Sequence, residues 1–555
     1  MSTAGASTRP SLSLRHSRVG HREVAGAAGQ RDVVNPSTGE AFAAVSLLDG
    51  RQAGEAVAAA AAAFAGWSAR SFAERGRVLL RARTLMVEQA EEIARLIEQE
   101  QGKPAAEAYL VELFPAAELL KHLARHAEDL LRDDPVEAQV LLLAHKESRL
   151  VYEPLGVVLA ITPWNYPFVI SLSSVATALI AGNTVVLKPA PATTLVGLRI
   201  AELFRDAGLP DGVLSVLAVE DALAGSLVRD PRVAKIVFTG SVGTGRKVME
   251  AAAANLTPVV LELGGKDAAV VCRDADLDQA ARGVVWGAFF NAGQTCASVE
   301  RVYVERAVAE SFLARVVEHT KALRVGDPAA GEVDVGPLTL ERQRTIVHEH
   351  VADAVARGAR ALTGGRPLPG PGWFYPPTVL AGVDHTMRIM REETFGPVLP
   401  VMVVEDLEEA VRLANESEYG LTASAWTRDP GTARRLQKEL RAGSVTVNDC
   451  ASSYGEPTAP WGGFKHSGHG RTHGLAGLRE MVHVKYVSRD TSRRPLLWWF
   501  PYDRELRRVA ATALRALHGS APGARLTGLA GLLTSPRLRR RGRLGAILRH
   551  PDKLL

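Results

Sequence analysis

The chain's 555 residues are too many for one core at about 100–200 residues per domain, so two or more domains are expected. With 46% hydrophobic and 23% charged residues the body is neither disordered nor fibrous. Three cysteines without CxxC or Cys/His spacing exclude a disulfide framework and a structural zinc site, and fit a reducing, cytoplasmic setting. The net charge of +5 is uneven: from Arg493 onward 14 Lys/Arg face 3 Asp/Glu, against 52 and 58 before it. Basicity therefore belongs to the tail and argues nothing about nucleic acid in the body.

Residues 1–30 scatter Arg9, Arg15, Arg18 and Arg22 without an apolar segment, and read as a frayed, disordered extension. Pro36 and Gly39 supply a turn after a strand at Val33. From Gly54 to Gln101 apolar residues recur at helical spacing, broken near Gly66-Trp67 and closed by Gly102; a further helix runs from Ala105 to about Leu131. Residues 139–143 and 149–154 read as paired strands. The uncharged stretch from Gly156 to Leu187 is interrupted by Pro163, Pro167 and Gly182-Asn183, so it reads as strand, helix and strand rather than a membrane span. That alternation continues to Thr239 and implies a parallel sheet covered on both faces, with ligand sites at the carboxyl ends of its strands. A second α/β unit follows, with strands at 268–272, 301–304, 398–404 and 423–426 and helices at 277–288 and 307–322.

The stretch Asn291-Ala-Gly-Gln-Thr-Cys296 places a cysteine beyond a glycine and a small polar pair, and Cys296 reads as a nucleophile. Cys272 closes an apolar run and Cys450 follows a strand-like one; both read as inert apolar residues. In Leu261-Glu262-Leu-Gly-Gly-Lys266 an acid lies among apolar residues, which is costly unless it is used. Phe238-Thr-Gly240-Ser241-Val-Gly-Thr-Gly245 leaves a strand and enters a helix, where glycine admits a phosphate to free N–H groups at the helix amino end. Asn165, after Pro163-Trp164, reads either as a turn residue or as an amide donor to an oxyanion. Lys188 ends a strand, and Glu393 and Phe395 stand at a turn.

These motifs, in this order, resemble the aldehyde dehydrogenase superfamily from about Val33 to Val487, adding Pro460-Trp-Gly-Gly-Phe-Lys465 to those above. The resemblance implies NAD(P)-dependent oxidation of an aldehyde to the acid. Cys296 would be the nucleophile forming thiohemiacetal and thioester, Glu262 the base activating hydrolytic water, and Asn165 with the Cys296 N–H the oxyanion hole. It assigns Trp164, Gly240, Ser241, Gly245, Lys188, Glu393 and Phe395 to the cofactor, and no metal. NAD-preferring relatives often carry Glu where this chain has Pro191, which opens the choice between NAD and NADP, with a slight lean to NAD. The residues around Cys296 and Gly468-His-Gly-Arg-Thr-His-Gly474 are similar to a bacterial branch labelled succinate-semialdehyde dehydrogenase. Yet Ser173 and Ser174 stand where relatives acting on short dicarboxylic semialdehydes carry Arg or Lys, so a nonpolar aldehyde is favoured.

The fold class is therefore α/β. A Rossmann-like cofactor domain takes 31–138 and 158–260, a catalytic domain takes 261–477, and small β strands at 139–157 and 478–490 pair subunits into a homodimer or homotetramer. Residues 491–555 form a basic tail in which Leu506, Val509, Ala513, Leu514 and Leu517 share one helix face opposite arginines. This tail packs on the enzyme or makes a peripheral contact with an anionic membrane; no nucleic-acid module is present. Two alternatives are a CoA-acylating dehydrogenase, against which Glu262 speaks, and a membrane-associated scaffold that retains the fold.

Overall fold

In the computed structural model of the protein, the described residues are 12–140, 143, 145–491, 496 and 498–536. Two compact units are formed. The larger lies within Met1–Leu130 and Pro154–Val482, the smaller within Leu131–Glu153 and His483–Leu555.

The first sheet of the larger unit runs Gly468–His469, Val259–Glu262, Val233–Thr239, Val157–Ile161, Thr184–Lys188, Leu214–Val216, Ser17–Val19 and Arg22–Val24. The five central strands are parallel and apolar on both faces because helices cover both sides. From Val157–Ile161 the chain moves outward through Thr184–Lys188 in one direction, then returns to build Val233–Thr239 and Val259–Glu262 in the other. The reversal between Val157–Ile161 and Val233–Thr239 opens a crevice at the carboxyl ends. Register sets Ile161 beside Lys188 and Phe238, and Thr239 beside Glu262.

The second sheet of this unit orders Arg360–Ala361, Thr378–Ala381, Val398–Val404, Val299–Glu305, Asp267–Val271, Thr422–Trp426 and Ser444–Val447. Its core is packed by the helix Leu277–Phe289, whose apolar face buries Val284, Val285 and Phe289.

Local chemistry sets the helix boundaries. Asp49 and Gln52 form a capping box at the start of Gly50–Ser68, and Ser71 and Glu74 form another at Phe72–Glu88. The break expected at Gly66-Trp67 therefore falls at Ser68–Ser71, while Trp67 stays helical and buried, its Nε1 donating to the Leu179 carbonyl at 3.1 Å.

Three expectations are corrected. Residues 13–24 are not a frayed extension: Ser13–Arg15 pairs with Glu40–Ser46, and Ser17–Val19 joins the first sheet, with the Ser17 hydroxyl accepting from the Ala218 N–H at 2.9 Å. The partner of the strand Lys146–Pro154 is Asp134–Pro135 rather than 139–143, of which Leu141 and Leu142 lie outside the described residues. The boundary at 261 cuts the last parallel strand of the first sheet, so Glu262 belongs to that sheet, and Gly468–His469 returns to it.

In the smaller unit Val482–Asp490 lies beside Lys146–Pro154, with Lys485 bonded to Glu153 at 2.5 Å and Arg489 to Glu147 at 2.6 Å. Val482–Asp490 is an outer strand whose Val484 and Tyr486 stay exposed. In the tail, the helix Arg504–His518 turns its buried Val509 and Ala516 toward a second helix, Pro522–Leu533. Leu514, expected on the apolar stripe, is instead 64% exposed. No helix among the described residues is long and apolar enough to cross a membrane.

Candidate active site

Two cavities in the larger unit share Cys296, Glu262, Thr239 and Leu263 as lining residues. One, about 280 Å³, is walled mainly by apolar side chains including Leu110, Trp286, Phe290 and Trp461. The other, about 320 Å³, is lined by Trp164, Asn165, Gly240, Ser241, Glu393 and Phe395. Eight of the ten site residues picked out from the sequence thus gather around one junction. The other two do not line it. Lys188 lies at the end of its strand with Nζ on Asp221 at 2.7 Å. Gly245 is a packing residue, since a Cβ there would come within 2.6 Å of Leu263 Cδ2, which would have to shift.

Glu262 is buried, and neither carboxyl oxygen has a hydrogen-bond partner. Burial holds its pKa well above the usual carboxylate range, opposed by the charge of Arg471. Burial is also the main cause that raises the Cys296 thiol, reinforced by the charges of Asp267, Glu393 and Glu262. The thiol therefore holds its proton at neutral pH and needs a base to become a nucleophile. Cys272 and Cys450 are pushed up to about 12 by burial as well, but line neither cavity.

The loop before Cys296 is strained and braced. Asn291 and Ala292 both adopt φ of 53°, a left-handed conformation costly for residues with a Cβ. Asn291 Nδ2 donates to the Asn165 carbonyl at 2.9 Å, Asn165 Nδ2 to the Gln294 carbonyl at 2.9 Å, and Tyr166 and Thr295 share a hydroxyl bond of 2.7 Å. One amide N–H of Asn165 is committed in this way, which leaves the other for the cavity that Asn165 and Cys296 line. A Cβ on Gly265 would fall 2.2 Å from the Cys296 carbonyl, so the Leu263-Gly-Gly-Lys266 segment is glycine because the cysteine backbone lies on it.

Two fully buried ion pairs hold the walls, and sequence reading missed both. Lys103 pairs with Glu112 at 2.5 Å, and while Lys103 donates to the Asn165 carbonyl at 3.0 Å, Glu112 accepts from the N–H groups of Phe168 and Val169. Lys266 pairs with Glu300 at 2.5 Å, and Glu300 accepts from the N–H groups of Thr394 and Phe395 at 2.8 and 2.9 Å. This second pair fixes Phe395, itself at φ 52°, with its ring edge-on to Trp164 at 5.4 Å. Glu393 accepts from the Gly265 N–H at 3.0 Å, and burial, then the Glu300 charge, pushes its carboxyl up to about 8. The signal for the pairs, a charge flanked by apolar residues, was present only at Glu112, between Val111 and Leu113.

The residues facing the larger cavity suit a nicotinamide dinucleotide. The strand Val233–Thr239 leads into the helix Val242–Ala252 through Ser241, whose hydroxyl caps it by accepting from the Thr244 N–H, so the amino end stands at a carboxyl-end crevice. An aromatic surface (Phe395, Trp164) and a carboxylate (Glu393) complete the lining.

A doubly wound sheet, a second α/β sheet and a shared thiol–carboxylate junction define a dinucleotide-dependent enzyme with a cysteine in its site. Residues 24–487 match the model of the aldehyde dehydrogenase family, and the chain belongs to that family; it is an oxidoreductase. It is 39% identical over 474 residues to 4,4'-diapolycopene aldehyde oxidase of Methylomonas sp, covering 83% of this chain and 88% of that protein. It is 38% identical over 454 residues to succinate-semialdehyde dehydrogenase [NADP(+)] 1 of Mycobacterium tuberculosis, covering 82% and 98%. The crystal structure of an NAD-dependent aldehyde dehydrogenase from Sinorhizobium meliloti superposes with a TM-score of 0.84 at 37% identity, covering 88% of this chain and 97% of that one.

Replacing Lys266 with Met leaves Glu300 buried without its cation, and is expected to lower the unfolding free energy by about 3–5 kcal/mol and to raise the KM for the cofactor. Urea unfolding with parallel kinetics checks this; a loss below about 1 kcal/mol, the range of exposed pairs, contradicts it.

Proposed function

We propose that the protein oxidises a nonpolar aldehyde to the carboxylic acid with NAD as the preferred cofactor, using Cys296 as nucleophile, Glu262 as base and Asn165 as oxyanion donor. The observation that carries the reading is the unpartnered, buried carboxylate of Glu262 lining the same two cavities as the Cys296 thiol. The Cys296 thiol gives its proton to solvent, and the thiolate adds to the aldehyde carbon as the carbonyl π electrons move to oxygen. The free N–H of Asn165 and the Cys296 backbone N–H stabilise that oxygen. A nicotinamide dinucleotide held beside Trp164, Glu393 and Phe395 would supply the hydride acceptor that this oxidation needs. The remaining thioester is attacked by water whose proton goes to Glu262, and the C–S bond breaks to release acid and thiol. Water attack needs a carboxylate free of other partners, so hydrolysis is favoured over transfer to CoA, and the chemistry of the junction leaves the scaffold reading without support.

Four features support the finer assignments. No Lys or Arg is among the described residues lining the apolar cavity, and the hydroxyls of Ser173 and Ser174 donate to the Ile170 carbonyl, so a carboxylate-bearing substrate lacks an anchor. Asp221, 75% exposed beside Lys188, supplies the negative charge that Pro191 does not, and would repel a 2′-phosphate. Val482–Asp490, an outer strand with Val484 and Tyr486 exposed, offers a sheet edge to a second copy, as a homodimer or homotetramer requires. Three unpaired thiols suit the reducing cytoplasm.

In Glu262→Gln, one equivalent of reduced cofactor per subunit should appear as a burst while steady turnover falls about 10²–10⁴-fold. Because thiol and carboxylate are both held protonated, the wild-type rate should climb with pH through neutrality. A rate already flat at about pH 6, where an ordinary glutamate is ionised, contradicts the assignment, as does a variant without a burst.

The tail favours a second role, contact with an anionic lipid surface. Trp499, Phe500 and Tyr502 are 55%, 80% and 69% exposed, and lead into a helix whose Arg504, Arg507 and Arg508 are also exposed. Aromatic side chains suit the headgroup layer and arginines its negative charge. The full chain should sediment with phosphatidylcholine vesicles containing phosphatidylglycerol and be released at about 1 M salt, where the Debye length is about 3 Å. Trp499→Ala/Phe500→Ala should not sediment; equal binding to pure phosphatidylcholine, or none to either, overturns the role.

A further inference from the structure

His473 lines the apolar cavity that also holds Cys296, yet the proposed chemistry does not use it. It is buried, 4% exposed, and neither Nδ1 nor Nε2 has a hydrogen-bond partner. Its backbone sits at φ 60°, ψ 165°, a region that residues with a Cβ avoid. Each of these features is unfavourable to folding, and together they mark a side chain kept for a ligand. The frame around it is rigid. Thr472 and Trp461 exchange backbone hydrogen bonds of 2.8 and 2.7 Å, and the Gly477 N–H donates to the His473 carbonyl at 2.8 Å as the helix Gly474–Arg479 begins.

The surroundings decide what the ring can bind. Its ring lies tilted against Tyr454, centroid to centroid 4.5 Å, and Tyr454 shares a 3.0 Å hydroxyl bond with Ser173 and meets Trp461 edge-on. Burial, with the charge of His122, lowers the His473 pKa to about 4, so the ring is neutral at physiological pH and offers one donor and one acceptor. Tyr454 ties His473 to the reacting end, because its phenol feels the charges of Cys296 and Glu262. For His473 itself burial and the charge of His122 favour the uncharged ring, which argues against a role as base.

We propose that His473 is a specificity residue that hydrogen-bonds an uncharged oxygen, a hydroxyl or carbonyl, carried on the chain of the aldehyde away from the reacting carbon. This rests on the reading of the cavity as the aldehyde site. A neutral imidazole in an apolar wall suits a neutral oxygen, and the absence of Lys or Arg among the described lining residues disfavours a carboxylate there. The substrate class becomes a largely apolar aldehyde with a second, neutral oxygen function.

The test uses the full-length enzyme and straight-chain aldehydes of several lengths, each paired with its ω-hydroxy and ω-oxo counterparts. At one length or more the wild type should prefer the oxygen-bearing member by about tenfold in kcat/KM, the discrimination one buried hydrogen bond supplies. His473→Phe should erase that preference, and His473→Gln should keep part of it. The preference should stay level between about pH 6 and 8, because the ring does not titrate there. No preference at any length, or an equal loss for both members in His473→Phe while His473→Gln is also impaired, overturns the inference. Plain aldehydes turned over normally without an ω-oxygen preference would sink this inference alone, whereas turnover surviving Cys296→Ala would sink the reading of the site.

Discussion

A carboxylate buried without a partner is among the least favourable arrangements in a folded chain, and the site is built around keeping one. Glu262 ends the last parallel strand of the first sheet, where register sets it beside Thr239 and the following glycines bring the Cys296 backbone against it. Desolvation makes its proton hard to lose and, once lost, makes the carboxylate a strong base. The same desolvation raises the thiol, so the resting site holds a thiol and an acid rather than a thiolate beside a carboxylate.

Such a site cannot rest on flexible walls, and the two buried ion pairs supply rigidity from opposite sides. Lys103–Glu112 binds the turn bearing Asn165 through one backbone carbonyl and two N–H groups; Lys266–Glu300 holds the turn bearing Phe395 through the Thr394 hydroxyl and two N–H groups. Both pairs satisfy backbone groups that would otherwise be buried and unmade, which offsets part of the cost of desolvating the charges. The strain at Asn291, Ala292 and Phe395 is held in place by these bonds and lies beside the reacting groups.

Much of this was legible in the sequence. The strand–helix rhythm from Val157 to Thr239 announced the parallel sheet, and the glycine-rich segments located the crevice because close backbone approach leaves few other residues possible. What stayed hidden depends on contacts distant along the chain. The partners of Lys103 and Lys188, the packing role of Gly245 and the exposure of Leu514 are set by neighbours that periodicity does not reveal. Residues 13–24 looked like an extension because three-residue strands carry too little pattern to show a period of two. His473 gave no signal, since its significance lies in what its nitrogens lack.

The central claim is that one sulfur carries the substrate. Glu262→Gln quenched with acid during turnover of an aldehyde, digested and mapped by mass spectrometry, should carry the acyl mass on the peptide containing Cys296 and nowhere else. Acylation of a peptide containing Cys272 or Cys450, or reduced cofactor formed with no acylated peptide, would contradict the account.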